Sequence, residues 1–144
     1  MKSLIIATRT SLRAGIAYVK DRDVFVTEDL RLVRNMGTYP AIGIKDGGIT
    51  FGAEAGTQDD ESLQLSFSLQ VKLEKQEAAI MGDTSTSSVG VLDMAADLIA
   101  LLRDKPPAGF DLALPVSIGE SEILDTDKLQ IVMLPVTMKF ERYS

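Results

Sequence analysis

The clearest hydrophobic pattern in the chain lies between residues 63 and 74. Leu63, Leu65, Phe67, Leu69, Val71 and Leu73 are apolar, and Gln64, Ser66, Ser68, Gln70, Lys72 and Glu74 between them are polar. A period of two puts alternate side chains on opposite faces of a strand. The pattern therefore predicts a long strand with one buried and one solvated face, and the apolar face needs a helix or a second sheet above it. Phe67, Leu69 and Val71 are expected at the centre of the core. Ser68 is expected on the open face, where truncation costs little.

Two stretches carry a helical period instead. Ile5, Leu12, Ile16 and Val19 form one stripe of a helix over residues 3–18, with Ser3 as N-cap and Gly15 as its weak point. Val91, Ala95, Leu98 and Leu102, flanked by Leu92 and Ile99, form the stripe of a second helix over residues 89–103. Ser87 or Ser88 is the expected cap of that helix, and Pro106-Pro107 stops it. Leu98 and Leu102 are the natural partners of the Phe67 face.

The remaining elements are shorter or less regular. Residues 21–27 read as a short strand. Residues 28–39 read as irregular or as a short helix, in a connection long enough to carry contacts. Residues 41–53 read as a hairpin turning at Asp46-Gly47 in a type I′ turn, so that Ile42 and Ile44 face Ile49 and Phe51. A polar turn is expected at 56–61 and a mobile Ser/Thr-rich loop at 82–88. A weakly patterned strand follows at 115–123 and a last strand at 129–143. In that last strand the apolar phase changes from Leu129, Ile131 and Met133 to Val136, Met138 and Phe140, which predicts a β-bulge at Pro135. The sum is a single α+β domain over 1–144, a mostly antiparallel mixed sheet with two helices packed on one face.

Composition changes the picture chiefly by exclusion. The 144 residues include no cysteine, no histidine and no tryptophan. Thiol nucleophiles, thiolate zinc sites and serine–histidine–acid triads are thereby removed. Gly119-Glu120-Ser121-Glu122 is not a nucleophile elbow, and Asp83-Thr84-Ser85 is followed by Thr86 where an aspartic-protease loop needs glycine. Glu120, Glu122, Asp125 and Asp127 are the candidates for paired acid–base work or for a hard cation. The plainer reading of them is a solvated strand face and a polar turn. Gly47-Gly48 closes a hairpin rather than cradling phosphate, and Met81, Met94, Met133 and Met138 read as core filler. No catalytic residue, metal ligand or cofactor is assigned, and the protein is expected not to be an enzyme. The apolar run Leu4-Ile5-Ile6-Ala7 is far short of the ~20 residues of a membrane span, so a cytoplasmic protein without membrane partners is expected.

Charge adds one positive hint. The chain holds 15 basic and 21 acidic residues, a net charge of −6. Residues 1–50 carry 8 basic and 5 acidic side chains (+3), and residues 51–144 carry 7 and 16 (−9). The acidic balance argues against direct nucleic-acid binding. The split reads either as two solvated surfaces of different composition or as opposite poles that meet in neighbouring copies. Possible subunit contacts are Asp83, in the polar loop, and Lys139 and Arg142, on a terminal strand expected to lie at a sheet edge.

The order of elements resembles that of the tail terminator, or tail-completion, proteins of long-tailed phages and prophages. Three segments carry the resemblance locally. They are the run from Tyr39-Pro40 to Gly47-Gly48, the helix Val91-Leu92-Asp93-Met94-Ala95-Ala96-Asp97-Leu98-Ile99-Ala100-Leu101-Leu102, and Gly119-Glu120-Ser121-Glu122 with the final strand ending in Phe140-Glu141-Arg142-Tyr143. The resemblance implies a non-catalytic subunit that closes into a ring, commonly a hexamer, on the head-proximal end of the tail tube. Its implied partners are further copies of itself, the tail tube protein and head–tail connector proteins. Its implied location is the host cytoplasm during assembly and then the virion tail. The competing reading is a cellular α+β module that binds a small ligand or a protein, with a carboxylate-based enzyme behind it.

Overall fold

The alternating run becomes β3 (Glu61–Lys72), the strand on which the sheet is centred. The computed structural model describes residues 1–34, 37–51, 61–85, 88–126 and 129–142, with the backbone alone at 51 and 61. The expected turn at 56–61, Asp127, Ser87 and Tyr143 lie wholly or largely outside them. β3 pairs antiparallel with β2 (Ala41–Phe51) on one side and with β6 (Gln130–Arg142) on the other. β1 (Val24–Val26) adds in parallel outside β2. β4 (Leu112–Ile118) and β5 (Glu122–Asp125) lie one after the other along the outer side of β6. The six-stranded order is β1-β2-β3-β6-β4, with β5 beside β6. This is an α+β fold with a mostly antiparallel mixed sheet.

Two helices cover one face, as the periodicity requires. α1 (Lys2–Gly15) lies across β1 and β2, and α3 (Val91–Asp104) lies across β3, β6 and β4. A third, short helix, α2 (Gln76–Met81), precedes α3 and packs on it. Phe67, Leu69 and Val71 meet Leu98 and Leu102 in one buried cluster with Leu4, Leu12, Val136, Met138 and Phe140. α1 starts one residue before Ser3, with Met1 as N-cap, and it ends at Gly15, so Ile16 and Val19 are buried beyond the helix. α3 is capped by Gly90, whose N–H donates to Asp93 Oδ2 at 3.1 Å.

Several expectations are corrected. Asp46-Gly47 is not a hairpin turn, because β2 runs straight through it. Asp46 stands opposite Leu65 and Ile49 opposite Leu63, so Gly47 and Gly48 together face Gln64 in a bulge. Gly48 takes φ +101°, and a side chain at Gly47 would meet the Gln64 carbonyl at 2.9 Å. Ile42 and Ile44 consequently pair with Leu69 and Phe67 of β3, and the bulge returns Ile49 to the same face.

β6, in turn, has no bulge. Its register with β3 holds without a shift from Ile131 to Arg142, and Pro135 stands opposite Ser68. The bulged residue is Val116 on β4, between Pro115 opposite Met138 and Ser117 opposite Thr137. Pro135 is tolerated because it sits where β4 ends and β5 begins. Its carbonyl accepts the Gly119 N–H at 2.8 Å, so its missing N–H faces the gap between those two strands.

The phase change of β6 is burial on both faces. Val132, Leu134 and Val136 join the main core, while Ile131 and Met133 form a second cluster with Leu124 on the opposite face. Val33, Tyr39 and Leu129 pack onto that cluster.

A further correction concerns the polar face of β3. It is not solvated throughout, because residues 28–34 cross it as a strap. The Ser68 hydroxyl donates to the Leu30 carbonyl at 2.6 Å, and Gln70 Nε2 donates to the Leu32 carbonyl at 3.0 Å. Both side chains are buried. The expected strand over 115–123 is also two strands, separated by Gly119, Glu120 and Ser121.

Candidate functional site: two unlike edges of one sheet

The residues expected as subunit contacts are separated by the fold. Asp83 closes a tight turn: its N–H donates to the Ser88 carbonyl at 3.0 Å, the Ser88 N–H returns at 2.9 Å, and Ser85 donates to Asp83 Oδ1 from both its backbone N–H (3.0 Å) and its hydroxyl (2.7 Å). Lys139 and Arg142 lie at the far end of the sheet from it. Lys139 pairs with Glu141 at 3.0 Å, and the Arg142 guanidinium lies 5.0 Å from the centre of the Phe110 ring. Both are half-buried rather than freely exposed. β6 is an interior strand between β3 and β4, which overturns the edge position that had recommended them.

The candidate carboxylates also part company. Glu122 is on β5 and bonds Arg31 of the strap at 3.1 Å. Glu120 is in the β4–β5 connection, and Asp125 accepts Gln130 Nε2 at 2.7 Å. Among the described residues no three acidic side chains converge as a metal site would need.

A buried ion pair anchors the strap. Asp23 accepts Arg34 Nη2 at 2.7 Å, the Thr38 N–H at 3.2 Å and the Thr38 hydroxyl. Arg34 Nη1 also donates to the Arg22 carbonyl at 2.9 Å, and its guanidinium lies 4.1 Å from the centre of the Phe25 ring. Burial alone pushes the Asp23 carboxyl up, but the hydrogen bonds from Thr38 and Arg34 outweigh it and hold it below the ordinary carboxylate value. This arrangement fastens Arg34 and Thr38 to the start of β1. Its polar groups are satisfied, and it reads as structure.

Beside the strap is a cleft of about 500 Å³ lined by Tyr18, Thr38, Tyr39, Lys72, Glu74 and Ser88 among others. Its polar groups are largely engaged. The Tyr18 hydroxyl donates to Asp97 Oδ2 at 2.8 Å, and burial followed by that bond to a carboxylate pushes its ionisation well above the usual tyrosine value. Lys72 lies 3.6 Å from Glu74. The Tyr39 hydroxyl is buried without a partner among the described residues, and burial raises its pKa as well.

The more informative feature is the distribution of exposed apolar side chains. Of the ten large ones among the described residues, seven flank the two edges of the sheet. Ile6, Val26 and Ile49 are beside the β1–β2 edge, and Leu112, Val116, Ile118 and Ile123 are on β4 and β5. Charge divides only in part, because Glu28 and Asp46 stand beside Lys2 and Arg9 at the β1–β2 edge and Arg31 pairs with Glu122 at the other. α1, over the β1–β2 edge, carries Lys2, Arg9 and Arg13 and no acid. Residues 111–125, which form the opposite edge, carry Asp111, Glu120, Glu122 and Asp125 and no base. α3 adds Asp104 beside Arg103, while its Asp93 caps Gly90 and its Asp97 accepts the Tyr18 hydroxyl.

The sequence matches no protein-family model, and no curated protein shows significant similarity to it. Among the described residues no helix is long and apolar enough to cross a membrane.

Proposed function

We propose that the protein is a structural subunit of a long-tailed phage or prophage tail, a tail terminator that assembles with copies of itself into a ring capping the tail tube. The observation that carries this reading is the pair of unlike sheet edges, each flanked by exposed apolar side chains, with the basic helix α1 over one and the acidic run 111–125 along the other. A subunit with two different, complementary surfaces forms heterologous contacts, and such contacts close into rings when the rotation between copies allows it. The order of elements, with one sheet and helices on one face, supports the same reading. In this role the subunit is made in the host cytoplasm and ends in the virion tail, meeting the tail tube protein on one ring face and head–tail connector proteins on the other. It acts by shape and contact, without cofactor or chemistry.

Sedimentation velocity at several salt concentrations tests the assembly. The expected result is one discrete oligomer that loosens as salt screens the edge charges. A monomer at high protein concentration and low salt overturns the reading. Purified tail tubes give the functional arm. The protein is expected to stop tube growth when added to polymerising tube subunits, and unchanged tube length also counts against it.

A further inference from the structure

Residues 28–34 cover the polar face of β3 without joining the sheet. None of them belongs to a helix or strand, and none is buried, yet Ser68 and Gln70 beneath them are. Among the described residues no backbone–backbone hydrogen bond ties 28–34 to another segment, and the Leu32 N–H returns to the Asp29 carbonyl of the strap itself. Closure rests on side chains: Ser68 and Gln70 on the Leu30 and Leu32 carbonyls, Val33 against the Leu124 cluster, and two ion pairs.

The two ion pairs are unequal. Arg31–Glu122 is largely exposed, and such a pair contributes little. Asp23–Arg34 is close, at 2.7 Å, with its carboxylate buried, and Arg34 donates to the Arg22 carbonyl as well. Breaking a buried pair leaves a charge without its partner, so most of the resistance to opening is concentrated there. At the other end, Thr27 is held to β2 by its N–H on the Ile44 carbonyl at 2.8 Å, which leaves the residues after it as the hinge. The closed strap also has a cost. Gln70 Oε1 is buried with no hydrogen-bond partner among the described residues, and opening hydrates it.

We infer that residues 28–34 are a lid that lifts from β3 as one unit while the sheet and helices stay folded, with the Asp23–Arg34 pair as its latch. A segment with few buried contacts and few backbone bonds to its surroundings opens below the free energy of global unfolding. What the lid uncovers is a ready-made polar strip, Ser68 and Gln70, beside the apolar cluster of Leu124, Ile131 and Met133. The inference is independent of the ring-forming reading, because every contact it uses lies within one chain.

The absence of cysteine gives a direct test, since any introduced thiol is the only one in the molecule. Ser68→Cys and Gln70→Cys each place a thiol under the lid and leave the other bond in place. Val136→Cys places one in the helix-covered core as a reporter of global unfolding. Alkylation is followed at a series of urea concentrations below the unfolding transition, with circular dichroism confirming that each variant is folded. The urea slope of the opening equilibrium scales with the surface exposed. The thiols at 68 and 70 are expected to react faster than that at 136 and slower than a free thiol, with one shared, shallow urea slope. Adding Asp23→Asn is expected to speed their reaction by about tenfold or more, and adding Glu122→Gln to change it by less than about threefold. Reaction at 68 and 70 with the rate and slope of position 136 overturns the lid, as does reaction at the rate of a free thiol. Unlike slopes at 68 and 70 overturn the single unit, and a rate unmoved by Asp23→Asn overturns the latch.

Discussion

The Ser68 hydroxyl donates to the Leu30 carbonyl at 2.6 Å, and it also accepts the Gln70 Nε2–H at 2.9 Å. A serine in the polar phase of an amphipathic strand is thus buried on the face that alternation alone assigns to water. Ser68→Ala leaves the Leu30 carbonyl without its donor under the strap and is expected to cost roughly 1–3 kcal/mol. Phe67→Ala, on the helix-covered face, is expected to cost roughly 3–5 kcal/mol. Urea midpoints with unchanged m-values measure both. A Ser68→Ala midpoint equal to that of the parent shows that the strap does not hold that face closed.

Asp23 gives the strap a pH dependence with a definite sign. Its folded pKa lies below the unfolded value of about 3.9. Between the two values the unfolded chain binds more protons, so stability rises with pH across that window. The contribution is present in full above the unfolded value and is lost as pH falls through the lower folded one. Asp23→Asn is expected to cost roughly 1.5–3 kcal/mol at neutral pH, by loss of the charged partner of Arg34 and Thr38. The gap between variant and parent should narrow in acid. Denaturation at neutral pH and below the unfolded value measures it, and a gap independent of pH counts against the ion pair.

Gly90 stands where the end of α2 passes the start of α3. A Cβ there would come 2.5 Å from the Ile80 carbonyl oxygen and would also collide with the Gly82 nitrogen, and both are backbone atoms that cannot swing aside. Gly90→Ala is therefore expected to destabilise the protein by about 1–3 kcal/mol through overpacking. It should also loosen the turn closed by Asp83 and Ser88. Thermal unfolding measures the first effect, and faster hydrogen exchange at the Ser88 amide measures the second.

The two edges were only partly legible in the chain. The charge split between residues 1–50 and 51–144 hinted at opposite poles, but residues near in sequence need not be near in space. Asp83, Lys139 and Arg142 were attractive as charged residues in a loop and on a last strand. Strand order then placed β6 in the interior of the sheet and spent those side chains on a turn, on Glu141 and on Phe110. Val116, Ile118, Ile6 and Val26 carried no signal of their own, because an apolar residue in a strand or helix is ordinarily core. Only the topology shows which strands stand at the ends of the strand order.

Local pattern determined what could be read from a few neighbouring residues. The alternation from Leu63 to Leu73, the stripe Val91–Ala95–Leu98–Leu102 and the stop at Pro106-Pro107 depend on periods of 2 and 3.6 and on the missing N–H of proline, which act within one element. Tertiary structure decided everything that depends on which strand lies next to which. Asp46-Gly47 suits a tight turn as well as a bulge, and only the partner strand β3 selects the bulge. The phase change at Pro135 suits a bulge as well as burial on both faces, and only the cluster of Leu124, Ile131 and Met133 selects the second. A pairing between distant segments is fixed by the total apolar surface it removes from water, a quantity that no short window of sequence contains.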